Sequence, residues 1–210
     1  MIKRGFDIIV SSLLLVVFSP LMCLVAVMIK GEDSGPVFYR GARTGKNGRP
    51  FRIYKFRTMV VDAEKRGASS TAADDHRITR TGRFIRKYKI DELPQLINVF
   101  RGEMSIVGPR PEVKHYTDMF TGEELGILSI RPGITDWASI WNADEGAVLA
   151  GAADPEQAYM ELIRPTKLNL QIKYVRERSF WMDLKIIFLT LRAVVQPESQ
   201  AVREMRRGLR

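Results

Sequence analysis

Two adjacent carboxylates, Asp91 and Glu92, stand between two basic segments. Upstream lie Arg80, Arg83, Arg86, Lys87 and Lys89, and downstream lies Gly108-Pro109-Arg110-Pro111. An acidic pair framed by cations is poised to meet a metal ion, a phosphate, or both. A carboxylate is a weak base, but it is a usable nucleophile once the charge of a phosphate has been neutralised. Residues 90–102 read as a helix. Leu93, Leu96, Ile97 and Phe100 recur at the spacing of one buried face, Pro94 is tolerated in the first turn, and Gly102 supplies the stop. Asp91 then falls at or near the N-cap, where free N–H groups and the helix dipole favour negative charge. The plainer alternative is that Asp91 is only a cap.

Further cations are placed to bind an anion. Residues 51–59 read as a strand whose period of two puts Lys55 and Arg57 on one face, suited to a diphosphate or simply solvated. A helix over residues 81–88 carries Arg86 towards Asp91. In Gly108-Pro109-Arg110-Pro111 both prolines fix φ, so Arg110 is presented on a stiff corner. Arg131-Pro132-Gly133-Ile134-Thr135 is a second corner of this kind. A phosphate loop is excluded at Gly41 to Lys46, because three residues rather than four separate the glycines and Asn47 follows the lysine.

The elements that must hold these residues begin in a membrane. Residues 8–29 carry no charge, and about 20 apolar residues span a bilayer core as a helix. The run is too long for a signal peptide and lacks a cleavage site. Ser19-Pro20 interrupts it: Pro20 cannot donate to the Val16 carbonyl, and Ser19 can bond back to the preceding turn. Two outcomes are open, a kinked span or a helix that breaks there and leaves by the face it entered. Residues 31–36 read as a turn, Val37-Phe38-Tyr39 as a short strand, and Gly45-Lys46-Asn47-Gly48 as a hairpin turn. Residues 66–75 hold no large apolar residue and read as a mobile loop. Ser105-Ile106-Val107 is a short apolar strand or turn. Asp154-Pro155-Glu156-Gln157 starts a helix. Residues 180–195 form the last amphipathic helix, with Leu184, Ile187, Phe188, Leu191 and Val195 at helical spacing and Trp181 near its start. That pattern suits a core face or a membrane interface. The basic tail, with Arg203, Arg206, Arg207 and Arg210, suits acidic headgroups.

Composition narrows the function classes. The 210 residues carry 33 Lys+Arg against 24 Asp+Glu, a net charge of +9, which points to an anionic partner. The single cysteine, Cys23, allows no disulfide and no cysteine-based zinc site, and His76 and His115 lack a metal-ligand spacing. Single-strand nucleic-acid binding requires exposed aromatics among the cations. Here the aromatics fall on apolar faces, and the acidic pair would repel a phosphate backbone. Nucleic acid is therefore not expected. The alternative to catalysis is a membrane-anchored basic module that binds acidic lipid or nucleic acid.

Several long motifs in one order carry a resemblance: Lys3-Arg4-Gly5-Phe6-Asp7, Ser19-Pro20, Tyr54-Lys55-Phe56-Arg57-Thr58-Met59, Asp91-Glu92-Leu93-Pro94-Gln95, Val107-Gly108-Pro109-Arg110-Pro111, Arg131-Pro132-Gly133-Ile134-Thr135 and Asp183-Leu184-Lys185. The chain resembles the small monotopic phosphoglycosyl transferases, the bacterial sugar transferase family, nearly end to end. It departs from the family pattern at Asp136-Trp137-Ala138-Ser139 and Leu168-Asn169-Leu170-Gln171, segments expected to contact the sugar or shape the mouth of the site. The resemblance implies transfer of a phosphosugar from a UDP-sugar to polyprenol (undecaprenyl) phosphate, through an aspartyl phosphosugar on Asp91, with release of UMP. It implies Mg2+ near Asp91, and Glu92 positioning the metal or handling the acceptor's proton. Lys55, Arg57, Arg86, Arg110, Pro111 and Arg131 are expected around the substrate. The implied fold is α+β and mainly helical. A re-entrant membrane helix (1–30), turning at Ser19 and Pro20, precedes a catalytic domain (31–210) with a short β-hairpin and interfacial amphipathic helices around a small core. The expected location is the cytoplasmic face of the bacterial inner membrane, and the expected unit is the minimal catalytic one, with no segment before the membrane helix.

Overall fold

The computed structural model describes residues 2–63, 74–143 and 145–195. Most of the loop expected at 66–75 and all of the basic tail lie outside them. The fold is mainly helical with few, short strands, as expected. Helix α1 (Ile2–Glu32) is the one described helix long and apolar enough to cross a membrane. It contains Pro20, and helical backbone is kept on both sides of that residue. Ser19 Oγ donates to the Val16 carbonyl at 2.8 Å. That carbonyl is the acceptor which the missing N–H of Pro20 leaves free.

Both ends of α1 rest on the rest of the chain. Near the start, Lys3 Nζ donates to the Val107 carbonyl at 2.9 Å, Arg4 donates to the Val99 and Phe100 carbonyls, and buried Asp7 accepts from Ser105 Oγ and from the Ile106 N–H. At the far end, Glu32 accepts from the N–H groups of Arg80 and Thr81 at 2.7 and 2.9 Å. Val10, Leu14 and Leu15 pack on the main core, whereas Leu21, Val25 and Ile29 pack in a second cluster with Phe56 and Ile85. Between these anchors Val16, Val17, Ser19 and Pro20 are exposed.

Strands β1 (Phe38–Tyr39), β2 (Ala42–Thr44), β3 (Pro50–Arg52) and β4 (Lys55–Phe56) follow. β2 and β3 form the expected hairpin, whose turn uses positive φ at Asn47 and Gly48. β1 pairs antiparallel with β4. The single return strand read from the sequence is thus two strands. Its ladder is interrupted by a side chain: fully buried Asn98 accepts from the Tyr54 N–H at 2.8 Å and donates to the Arg52 carbonyl at 2.9 Å.

Helix α2 (Arg80–Lys87) begins where Thr79 caps it, its hydroxyl accepting from the Gly82 N–H. Helix α3 (Gln95–Arg101) ends at Gly102 with φ 85°. Its buried face is Gln95, Leu96, Asn98 and Val99, and Phe100 is exposed, contrary to the expected stripe. β5 (Ser105–Val107) pairs parallel with β6 (Gly133–Thr135), so the second expected corner continues into a strand. Helices α4 (Lys114–Thr117), α5 (Trp137–Trp141), α6 (Glu145–Leu149) and α7 (Pro155–Ala158) are short. Asp154 caps α7 as expected. α7 runs through a π-helical turn (Tyr159–Ile163) into α8 (Arg164–Glu177), and α9 (Phe180–Val195) closes the described chain. The main core packs Val99, Met104, Ile140, Tyr174 and Ile186. α9 turns Asp183, Ile186 and Ala193 inward and leaves Trp181, Phe188, Leu191 and Val195 exposed, so much of the apolar face read from its spacing points away from the core. His76, His115 and Cys23 are exposed.

Candidate active site

Asp91 and Glu92 lie in a 3-10 turn (Ile90–Glu92) that precedes α3. The helix proper starts at Gln95, with Pro94 at its N-cap, so Asp91 does not cap it. The turn is entered through Lys89 in the left-handed region, φ 57°, and Lys89 N–H bonds the Arg86 carbonyl at 3.0 Å. A non-glycine residue held there costs about 1–3 kcal/mol, and such strain gathers at functional sites. Asp91 is 8 % exposed, and its Oδ1 has no hydrogen-bond partner among the described residues.

The two carboxylates have opposite environments. Glu92 accepts from Lys55 Nζ at 2.8 Å and is clamped by the Arg110 guanidinium, whose Nη1 lies 3.2 Å from Oε2 and whose Nη2 bonds Oε1. Burial alone would raise the Glu92 pKa, but Arg110 and Lys55 outweigh it and hold Glu92 well below the usual range. Burial raises the Asp91 pKa, and the neighbouring Glu92 charge raises it further, against Lys55, Arg86 and Lys89. A pair of titratable groups pushed apart in this way divides into two roles. Asp91 is the more basic carboxylate, with an unengaged oxygen, and Glu92 is the fixed anion that holds two cations.

Arg86 reaches this cluster from α2, with Nε donating to Thr58 Oγ1 at 2.8 Å. Burial lowers the Arg86 pKa, and the Asp91 charge is the main influence opposing that effect. Arg110 is delivered by the contact of β5 with β6. A Cβ on Gly133 would lie 2.1 Å from the Gly108 nitrogen, so only glycine permits this approach. Behind Arg110 sits fully buried Asp136, which accepts from the Arg110 N–H and from Gln171 Nε2, both at 3.3 Å, and caps α5 through the Ser139 N–H. Asp136 and Gln171 belong to the two segments where the chain departs from the family pattern. The structure uses them to brace Arg110.

Two of the expected substrate cations stand elsewhere. Arg57 is 8 % exposed, pairs with Asp33 just beyond α1 and donates to the Pro36 carbonyl at 2.7 Å. The β4 strand ends at Phe56, so the period of two that would align Arg57 with Lys55 stops before it. Arg131 Nε donates to the Gly102 carbonyl at 2.7 Å, at the end of α3. Pro111 lines a cavity of about 180 Å³ with Lys55 and Arg110. Gln95, Glu112, Glu145, Tyr159 and Lys167 are also among its lining residues, none of them singled out by the sequence motifs as a substrate contact. Gln95 had a signal, since it ends the Asp-Glu-Leu-Pro-Gln run; the others had none.

Comparison with known proteins places the chain in a family. The family model described as bacterial sugar transferase matches residues 1–197. A UDP-N-acetylgalactosamine-undecaprenyl-phosphate N-acetylgalactosaminephosphotransferase of Aeromonas hydrophila is 41 % identical over 197 residues, covering 92 % of this chain and 44 % of that protein. A UDP-glucose:undecaprenyl-phosphate glucose-1-phosphate transferase of Escherichia coli (strain K12) is 35 % identical over 91 % of this chain and 39 % of its own length. The exopolysaccharide production protein ExoY of Rhizobium meliloti is 36 % identical over 92 % of this chain and 85 % of its own. The chain belongs to the bacterial sugar transferase family. It spans less than half the length of the first two relatives.

Proposed function

We propose that this chain is a phosphoglycosyl transferase that moves a sugar-1-phosphate from a UDP-sugar to a polyprenol phosphate, undecaprenyl phosphate by analogy with its relatives' substrates. The observation that carries the reading is Asp91: a buried carboxylate with one unengaged oxygen and raised basicity, beside Lys55, Arg86 and an Arg110 fixed by Glu92. A carboxylate oxygen of Asp91 bonds to the β-phosphorus as the bond from that phosphorus to the bridging oxygen breaks. The bridging oxygen leaves with the electron pair on UMP. A polyprenol phosphate oxygen then bonds to the same phosphorus, and Asp91 departs as a carboxylate. Lys55, Arg86 and Arg110 stabilise the charge that develops on phosphate. With both oxygens engaged and its pKa depressed, Glu92 acts by orienting Arg110 and Lys55 and is a poor acceptor for a proton.

The donor set fits Mg2+. Among the described residues no cluster of three or more His, Cys, Asp or Glu side chains could hold a metal alone. Mg2+ is commonly held by one or two carboxylates together with substrate phosphates, and Asp91 offers an unpartnered hard oxygen. Bound there, it would neutralise phosphate charge.

The reading of the membrane arrangement starts from α1. A helix that crossed the bilayer upright could touch a domain on one side with only one of its ends. Here both ends of α1 bond the same body, and the exposed stretch around Ser19 and Pro20 lies between them. This supports a re-entrant helix with both ends on the cytoplasmic face of the inner membrane. The outward apolar face of α9, with Trp181 at its start, supports an interfacial helix that holds Asp91 at headgroup depth.

The test is chemical. Wild-type protein in detergent with Mg2+ should release UMP from a UDP-sugar and show a phosphosugar adduct by intact mass. Asp91→Asn should do neither, because an amide is a poor nucleophile. An adduct on Asp91→Asn would place the nucleophile elsewhere.

A further inference from the structure

The cavity beside Lys55 and Arg110 has a second wall, which the transfer chemistry does not use. Lys167, only 6 % exposed, pairs with Glu112 at 2.5 Å, lies 3.8 Å from Glu145 and donates to the Tyr159 hydroxyl at 3.1 Å. The Tyr159 hydroxyl in turn donates to Glu112 at 3.3 Å. Tyr159 opens the π-helical turn between α7 and α8, a feature that recurs at functional sites. Burial alone would push the Glu112 pKa up and the Lys167 pKa down. Each is overridden by the other's charge, so the pair stays ionised. Lining the same cavity, Gln95 is 1 % exposed, and its Nε2 has no partner among the described residues. An unmet buried donor is costly, and this one is available to a ligand.

Size and chemistry decide what enters. The cavity is about 180 Å³, below the roughly 300–1,000 Å³ of pockets that enclose drug-sized ligands. It takes one ring. Uridine has two, a base and a ribose. Carboxylate oxygens of Glu112 and Glu145 and the Tyr159 oxygen accept from hydroxyls, while Lys167 and Gln95 donate to hydroxyl or amide oxygens. That mixed array suits a neutral polyol. The cationic wall of Lys55 and Arg110 faces the charged end of the same molecule. We infer that this cavity holds the sugar ring of the nucleotide sugar, and that Gln95, Glu145 and Tyr159 read its hydroxyl and amide substituents. The inference rests on the phosphosugar transfer proposed above.

The test compares Tyr159→Phe and Glu145→Gln with wild type across a panel of UDP-sugars, measuring UMP release, and takes the inhibition constant of UDP, which lacks the sugar. One lost hydrogen bond to a charged or polar site is worth a factor of about 10 to 100. Both variants should raise KM for the preferred UDP-sugar by about tenfold or more and reorder the panel. The UDP inhibition constant should stay within about twofold, which also shows that the protein is folded. If KM and the order of preference stay at wild type in both variants, the cavity does not hold the sugar. If the UDP constant rises together with KM, the cavity holds the nucleotide and the inference also fails. Should Tyr159→Phe lose UDP binding through misfolding, Glu145→Gln, at the open edge, decides alone. A wild type that releases UMP from no sugar overturns the transfer reading itself, whereas an active wild type with unaltered variants overturns only this inference.

Discussion

Glu92→Gln probes the division of labour between the two carboxylates. Glu92 is the only described anion in hydrogen-bond contact with both Lys55 and Arg110, and its side chain is 15 % exposed against their 20 % and 32 %. Removing one partner of a buried ion pair costs about 3–5 kcal/mol. The partial exposure of Arg110 places this case at the lower end, about 3 kcal/mol. For a chain of this size each kcal/mol moves Tm by about 2–4 °C, so the loss should be about 6–12 °C. The folded-state pKa of Glu92 is depressed, so its contribution is complete above the ordinary glutamate value of about 4.3 and fades as pH falls through the folded value. The deficit of Glu92→Gln should accordingly be full at pH 7 and shrink towards acid. Catalysis adds a second, opposite-signed signature. Glu92 raises the Asp91 pKa, so its removal lowers that pKa, and Lys55, freed from Glu92, continues to lower it. The acid limb of the pH profile of kcat/KM for UMP release should shift to lower pH, while the rate at its plateau falls by about 10²–10³ as two phosphate-facing cations lose their position. Thermal unfolding in detergent and UMP release from pH 4 upward, at about one-unit steps, measure both. A Tm within about 2 °C of wild type with an acid limb that is unmoved or displaced upward would refute the assigned roles.

Three further outcomes follow from named contacts. Arg57→Ala should lower Tm by several degrees, because it unties Asp33 and the Pro36 carbonyl, while leaving KM for the UDP-sugar near wild type; a large rise in KM at unchanged Tm would put Arg57 at the substrate. Gly133→Ala sets a Cβ 2.1 Å from the Gly108 nitrogen and must part β5 from β6, so it should cost about 1–3 kcal/mol and reduce UMP release as Arg110 is displaced; wild-type stability and activity together would contradict the close approach. Single cysteines at Ile2 and Gly31, in a Cys23→Ala background, should both be protected from an impermeant reagent in intact cells and label after lysis; labelling of the Ile2 cysteine in intact cells would mean that α1 crosses the membrane.

The sequence by itself determined what a single turn or a single period can encode. Asp154 caps the helix that follows it, and Gly102 stops α3, because each signal acts on neighbouring backbone groups. The bounds of α9 were legible from apolar spacing, and so was the Ser19 bond to the carbonyl that Pro20 leaves free. The family was legible too, since its motifs are local strings in a fixed order. Tertiary structure decided the rest. Asp91 reads as a cap, yet the chain turns at Lys89 and starts its helix only at Gln95, which frees the carboxylate from the backbone. Residues 51–59 read as one strand, yet Asn98, from a distant helix, takes the ladder's bonds. Lys55 and Arg57 share a period of two, yet Glu92 holds one and Asp33 the other. Which face of α9 is buried, what braces Arg110, and which side chains close the cavity all depend on pairs many residues apart. Such pairs leave no periodicity in the chain, because each is set only when separate segments pack and every buried charge or donor must find a partner.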